Sequence, residues 1–266
     1  MLPFLQATWR AGLRNQSFHA VLILGIVLVG IAYLSASFSP RQPRTVALDV
    51  GFSGIRLSLV LLGLFWVQDL IAKEIDRRTV LWAITYPVPR GWYIIGRFLG
   101  VASLLFVAAI CLGLLLWFVV RFAAGDYVQG FDVAAGGPFF STLAGLWLDS
   151  VVVVAFAVLI ATISTVPMLP LALGLGFAIG GKSLGAVIEY FRQGADGDPA
   201  LLKMAPVIDA IQWVLPDLSR LDWRNWPMYG LAPDLAAVCL ALGLALSYVL
   251  LSMSLAIMAF SRREFQ

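Results

Sequence analysis

The chain has 266 residues, of which 61% are hydrophobic and only 12% charged. A soluble domain runs at about 45–50% apolar and ~25% charged, so a soluble fold of this length could not hide so much apolar surface and lipid must solvate much of it. The net charge of +3 is too small to point to nucleic acid, and the length leaves no room for a large soluble catalytic domain beside a membrane domain.

In chain order, residues 1–17 come first. Leu2, Leu5, Trp9 and Leu13 recur at helical spacing, with Gln6, Arg10 and Arg14 elsewhere on the wheel. This pattern predicts an interfacial helix lying on the inner leaflet. The competing reading is a signal peptide cut near Ser35-Ala36-Ser37, which the long positive region and the nearly span-length apolar run disfavour.

A crossing helix needs ~20 apolar residues. Three spans, at about 18–39, 96–120 and 235–260, follow from the charge-free runs 15–40, 98–120 and 235–261. A fourth, 54–72, carries Arg56 near one end and Asp69 near the other. The uncharged stretch 150–181 would be ~48 Å as one helix, too long for one span and too short for two. Pro167 and Pro170 sit in its middle, and two prolines three apart break a helix. Two spans are therefore predicted, 141–164 and 169–187, joined by a tight turn and taking in Asp149 and Lys182. The fold class is an all-α integral membrane protein with six transmembrane helices in a single domain.

Lys/Arg bias sets the orientation. With the N-terminus inside, one side collects Arg10, Arg14, Lys73, Arg77, Arg78, Arg90, Arg97, Arg262 and Arg263, opposed only by Asp69, Glu74, Asp76 and Glu264. Both termini are thus expected in the cytoplasm. The outer loop 188–233 is long for a connector. It holds an acidic turn at Gly194–Pro199, an amphipathic stretch over 200–215, and Trp213, Trp223 and Trp226 suited to the interface. Short helices on the outer leaflet are expected there. Cys111 and Cys239 lie inside apolar runs and read as small core residues; with one histidine and no Cys/His cluster, no metal site is predicted.

The most informative piece is the cytoplasmic segment 73–95. Lys73-Glu74-Ile75-Asp76-Arg77-Arg78-Thr79 is followed by Val80–Tyr86, then Pro87-Val88-Pro89-Arg90, then Gly96-Arg97. Physically it is a charged amphipathic helix at the membrane surface that ends at a double proline. Leu81, Trp82 and Ile84 can face the membrane domain, and the charged side can dock a partner. The bland alternative is a positive topology anchor.

This segment resembles the permeases of type-2 ATP-binding cassette (ABC-2) exporters, which carry an acidic residue, Gly-Thr, a leucine run, Pro-x-x-Arg and Gly-Lys. Glu74, Thr79, Pro87, Arg90 and Gly96 fall at that spacing without a gap. Arg78 replaces the usual glycine, Pro89 the serine and Arg97 the lysine. Elsewhere the likeness is loose: an interfacial helix, six spans, a long outer loop and a basic end. Leu215–Asp222 is also similar to a segment of the subgroup linked to maturation of extracytoplasmic multicopper enzymes such as nitrous-oxide reductase. The resemblance implies that Glu74, Asp76, Arg77, Arg78, Thr79, Pro87 and Arg90 form a coupling region seated in a separate ABC ATPase subunit. It implies two permease copies as a homodimer, two ATPase copies, an inner-membrane location and an extracytoplasmic accessory protein as a further partner. The permease itself would have no catalytic site and bind no cofactor; ATP and Mg would sit in the partner ATPase.

Gly176–Ser183 matches the phosphate-loop pattern G-x-x-x-x-G-K-[ST] in full. Its setting, an apolar hairpin with no αβ unit, argues against nucleotide binding. The alternative is close helix packing at Gly176 and Gly180. Arg56, Asp149 and Lys182 form the intramembrane charges. A lone charge at membrane depth costs at least ~2.5–3.5 kcal/mol, so Asp149 is expected to pair with Lys182 or Arg56, either as a structural bridge or along a substrate path. Asp69 is expected to pair with the basic loop. A secondary transporter or a membrane scaffold is the competing function; the first would show inverted repeats, and none convincingly relates 1–133 to 134–266.

Overall fold

The computed structural model describes residues 2–14, 16–39, 41–76, 90–122, 133–192 and 216–262. These residues are helical apart from turns and short connections. The helices are α1 (Leu2–Arg14), α2 (Gln16–Ser37), α3 (Pro43–Val67), a π-helical turn at Gln68–Ala72, α4 (Lys73–Asp76), α5 (Arg90–Phe122), α6 (Gly137–Ile163), α7 (Leu169–Arg192), a 3₁₀ turn at Leu218–Leu221, α8 (Asn225–Tyr229) and α9 (Leu235–Arg262). Six of them are long and apolar enough to cross a membrane: α2, α3 with its continuation to Asp76, α5, α6, α7 and α9.

The second span begins earlier than the hydropathy pattern predicts. Pro43 occupies its first turn, where a missing N–H costs nothing, and one helical run reaches Asp76. Arg56 therefore lies well inside the helix rather than near its end. Arg44 and Asp49 sit on the part of the helix that precedes the predicted 54–72 window. α7 likewise runs past 187 to Arg192, and α5 begins at Arg90. The break between α6 and α7 falls at Ser164–Met168, beside the two prolines.

α3 and α6 form the centre: 67% of each membrane window is buried, against 17% for α9. In lipid no hydrophobic force pulls helices together, so association needs close packing. Glycines provide it here. A Cβ on Gly54 would meet Leu28 of α2 at 2.8 Å, and one on Gly63 would meet Val154 of α6 at 2.5 Å. Aromatic contacts continue the core from α6 through α7 to α9, with Phe156 stacked on Phe177 at 4.3 Å and Phe177 on Tyr248 at 5.5 Å. The outer surfaces of α2 and α9 present Ile23, Leu34, Leu246 and Leu250, as lipid-facing helices do.

α1 does not simply float on the leaflet. Its inward face is Thr8 and Gly12, flanked by Phe4 and Trp9, whereas Leu13 is exposed. Trp9 Nε1 donates to Ser103 Oγ at 2.8 Å, and Trp66 Nε1 donates to the Gly12 carbonyl at 3.3 Å. Gly100 of α5 admits Thr8, whose Cβ lies 2.6 Å from where a glycine Cβ would stand. The leucine periodicity marks amphipathicity but misses that small residues make the protein-facing stripe.

Candidate functional site

Two polar centres sit at opposite ends of the bundle. The first closes the base of the segment between α4 and α5. α3 passes through its π turn just before this point; such bulges concentrate at functional sites. Lys73 Nζ pairs with Asp69 Oδ1 at 2.5 Å, one helical turn apart. Glu74 points back into the protein. Arg97 Nη2 donates to both of its carboxylate oxygens at 2.6 Å, and the Tyr93 hydroxyl donates to Oε2 at 2.7 Å. Arg97 is buried and also donates to Thr8 Oγ1 at 3.3 Å. Tyr93 stacks on Phe260 of α9 at 5.7 Å and meets Phe4 of α1 edge-on at 5.7 Å. Four separate elements, α1, α4, α5 and α9, thus converge where the segment leaves and re-enters the membrane domain.

The Glu74 carboxylate is engaged by Arg97 and Tyr93 while its side chain stays 27% exposed. Asp76, two residues on, is the exposed carboxylate. Arg77, Arg78, Thr79 and Pro87, with Leu81, Trp82 and Ile84, lie outside the described residues; Arg90 opens α5. Arg97 entered the sequence reading as one of the inner-side basic residues and as a charge-conserving replacement, not as a partner of Glu74. Tyr93 and Thr8 carried no local signal, because their partners lie 19 and 89 residues away.

Gln68, on the π turn, is buried. Its Nε2 contacts Met168 Sδ at 2.7 Å, and its Oε1 meets no donor among the described residues. This places the α6–α7 turn against the same end of the molecule. A small cavity there is lined by Ile75, Asp76, Ser164 and Pro167.

The second centre gathers the intramembrane charges. Arg56 Nε donates to Asp149 Oδ2 at 2.5 Å, and Arg56 Nη2 donates to the Ala178 carbonyl at 3.1 Å. Asp149 therefore takes Arg56, one of the two expected partners. Lys182 takes neither: its ammonium pairs with Asp222. Asp222 also accepts from Arg224 Nε at 3.0 and 2.9 Å, and Arg224 Nη1 reaches Asp49 Oδ1 at 2.8 Å and Ser53 Oγ at 2.9 Å. Burial alone would raise the Asp222 carboxyl, but the Arg224 hydrogen bonds and the Lys182 charge outweigh it and hold the group below the usual carboxylate range. Burial would lower the Arg224 guanidinium, yet the Asp222 and Asp49 carboxylates raise it on balance.

Asp222 and Arg224 belong to the segment 216–230, which bridges α7 and α9 outside the spans. Asp49, Asp222 and Arg224 were missed as site residues. The Asp222-x-Arg224 spacing was readable, but Asp49 lies 175 residues from Arg224.

The glycine-lysine motif 176–183 lies wholly within α7. Nothing there is a loop that could cradle phosphate, and Lys182 is committed to Asp222. The close approach expected at Gly176 is also absent. A Cβ on Gly176 would meet nothing, whereas Gly181 and Gly185 seat Leu218 and Ser219 of the 216–230 segment. Among the described residues no group of three or more His, Cys, Asp or Glu side chains could hold a metal ion. Cys111 and Cys239 are free thiols, exposed on their helices.

Six apolar crossing helices with charges paired inside the bundle define a polytopic all-α membrane protein. Comparison with known proteins narrows this class: the chain resembles ABC transporter permeases of the NosY kind. It is 29% identical over 142 residues to the "Probable ABC transporter permease protein NosY" of Stutzerimonas stutzeri, covering 45% of this chain and 51% of that relative. It is 32% identical over 105 residues to the protein of the same name from Pseudomonas aeruginosa PAO1, covering 37% of this chain and 38% of the relative. The chain thus spans about half or less of the curated relatives it matches. No protein-family model matches it.

Proposed function

We propose that this chain is the permease subunit of an ABC transporter of the ABC-2 type, moving a substrate across the inner membrane with energy from a separate ATPase subunit. The observation that carries the reading is the Glu74–Arg97–Tyr93 clamp, which ties the base of the 73–95 segment to α1, α5 and α9. A segment levered from outside can move a bundle only if its root is rigidly joined to several spans. The similarity to permeases named NosY supports the same reading.

In this mechanism the segment, with Asp76, Arg77, Arg78, Thr79, Pro87 and Arg90, seats in a cleft of the ATPase. Two permease copies and two ATPase copies assemble, both termini lie in the cytoplasm, and ATP with Mg is bound and hydrolysed in the ATPase. The permease contributes binding and movement, not chemistry. Closure of the ATPase pair pulls on the segment, and the clamp passes the displacement to α1, α5 and α9 together.

Co-purification tests this. An ATPase subunit from the same genome should survive detergent extraction with the wild-type chain. It should be lost on Asp76→Lys or Arg90→Glu while the chain remains monodisperse. A chain that purifies without any ATPase, or whose ATPase is retained in both variants, would overturn the assignment.

A further inference from the structure

The segment 216–230 is fastened to three different spans. Lys182 of α7 holds Asp222, and Arg224 reaches Asp49 and Ser53 of α3. The Thr142 hydroxyl of α6 lies 3.1 Å from the Trp223 carbonyl and 2.9 Å from that of Pro138, its one proton shared between them. Gly145 of α6 accepts the Leu221 carbonyl against its bare Cα, and Gly181 and Gly185 accept Leu218 and Ser219. Leu218 and Leu221 are buried as a result. Two of the fastenings are ion pairs and the others hydrogen bonds, Leu218, Leu221 and Met228 pack into the core, the seats are glycine notches, and the 3₁₀ turn is short. Such a piece can lift as a unit without unfolding the spans.

Beneath it lies an incomplete ion pair. Asp149 is 2% exposed, and Arg56 engages only its Oδ2. Its Oδ1 is buried and meets no donor among the described residues. A buried carboxylate oxygen without a donor is costly, and its natural complement is a mobile ammonium. Lys182 stands one helical turn beyond Ala178, whose carbonyl holds the Arg56 that pairs with Asp149. Lys182 is also the flexible member of the cluster, a point charge on a four-carbon stem, whereas Arg56 is fixed by its second bond to Ala178.

We propose that residues 216–230 form a lid over the ends of α3, α6 and α7, and that Lys182 is an exchange residue: with the lid down it holds Asp222, and with the lid up it transfers to the free oxygen of Asp149. Both arrangements pair the ammonium, so lifting the lid does not strand a charge. The element is bistable, as a switch must be. Its bearing on transport rests on the permease reading; the exchange itself is tested without an ATPase.

The readout is the rate at which a water-soluble maleimide modifies a cysteine on the buried underside of the lid. Leu221→Cys, and independently Leu218→Cys, is placed in a Cys111→Ser/Cys239→Ser background in lipid nanodiscs. Asp222→Asn should raise the rate about tenfold, the population change that losing one such fastening produces, and Lys182→Arg should stay near the parent. The decisive comparison uses the two members of the lower pair. Arg56→Gln frees both oxygens of Asp149, attracts Lys182 and should raise the rate. Asp149→Asn, and separately Asp149→Ser, removes the alternative seat and should leave the rate at or below the parent. A pair that merely braces the bundle would loosen the lid from either side. Rates that rise in both Arg56→Gln and the Asp149 variants, or an Asp222→Asn rate equal to the parent, would overturn the proposal. Because no ATPase is present, failure to find such a partner leaves this result intact.

Discussion

Replacing Glu74 by glutamine keeps the side chain's shape and removes its charge. Arg97 would then remain as a nearly buried cation, with its Nε already lacking a partner among the described residues. Breaking a fully buried pair from one side costs about 3–5 kcal/mol, whereas exposed pairs are worth ~0.2–1 kcal/mol. Here the Arg97 side chain is 9% exposed and that of Glu74 27%, so the pair lies between these limits. The glutamine can still accept from Tyr93, which argues for the lower half of the range. We expect a loss of about 2 kcal/mol, or on the order of 4–8 °C in unfolding temperature for a chain of this size. Tryptophan fluorescence of the detergent-purified protein reports the transition. The double variant Glu74→Gln/Arg97→Gln should cost ~1–2 kcal/mol less than the two singles added, because it removes the stranded charge. Raising salt from ~0.1 M to ~1 M should barely alter the Glu74→Gln deficit, since partly buried pairs are weakly screened. An unfolding temperature within ~1 °C of wild type, or a strictly additive double variant, would refute the clamp.

Gln68→Met should leave stability unchanged or raise it by up to ~1 kcal/mol, because it deletes a buried oxygen that lacks a donor. If the π turn serves movement, the same variant lowers transport-coupled ATP hydrolysis in the reconstituted complex; higher activity together with lower stability would contradict both expectations. The Asp222 fastening should show a defined pH window. Its carboxyl is held below the ordinary value, so its contribution is complete above the unfolded value of about 3.9 and is lost only as pH falls through the lower folded one. The stability difference between wild type and Asp222→Asn should therefore be flat from pH 7 to pH 5 and shrink below ~4; a difference that fades near pH 6 would exclude this origin.

Much of the architecture was legible from the sequence because lipid imposes a severe rule. Every backbone polar group inside the membrane must be satisfied within its own segment, so apolar runs of sufficient length become helices whatever their neighbours. Long apolar runs bounded by charged residues announced the helices α2, α5 and α9, and the break between α6 and α7 falls beside Pro167 and Pro170. The rule also made Asp149 conspicuous before its partner was known.

Which groups meet was decided only by tertiary structure. Asp149 had two candidate cations, and pattern alone could not choose; the packing of α3 on α6 gives it Arg56. Lys182, set in a complete phosphate-loop pattern, is claimed instead by Asp222, 40 residues on. Glu74 read as an outward docking charge until α5 brought Arg97 and Tyr93 behind it. The physical reason is common to all three. Hydropathy and periodicity are local sums along the chain, whereas an ion pair depends on the rotation of one helix against another, set by glycines such as Gly54, Gly63 and Gly145 whose partners lie far away in sequence. The sequence by itself determined that this is a six-span membrane protein with charges it must hide. Only the fold decided that those charges tie Glu74 to α1 and α5 at one end and hold residues 216–230 against α3 and α7 at the other.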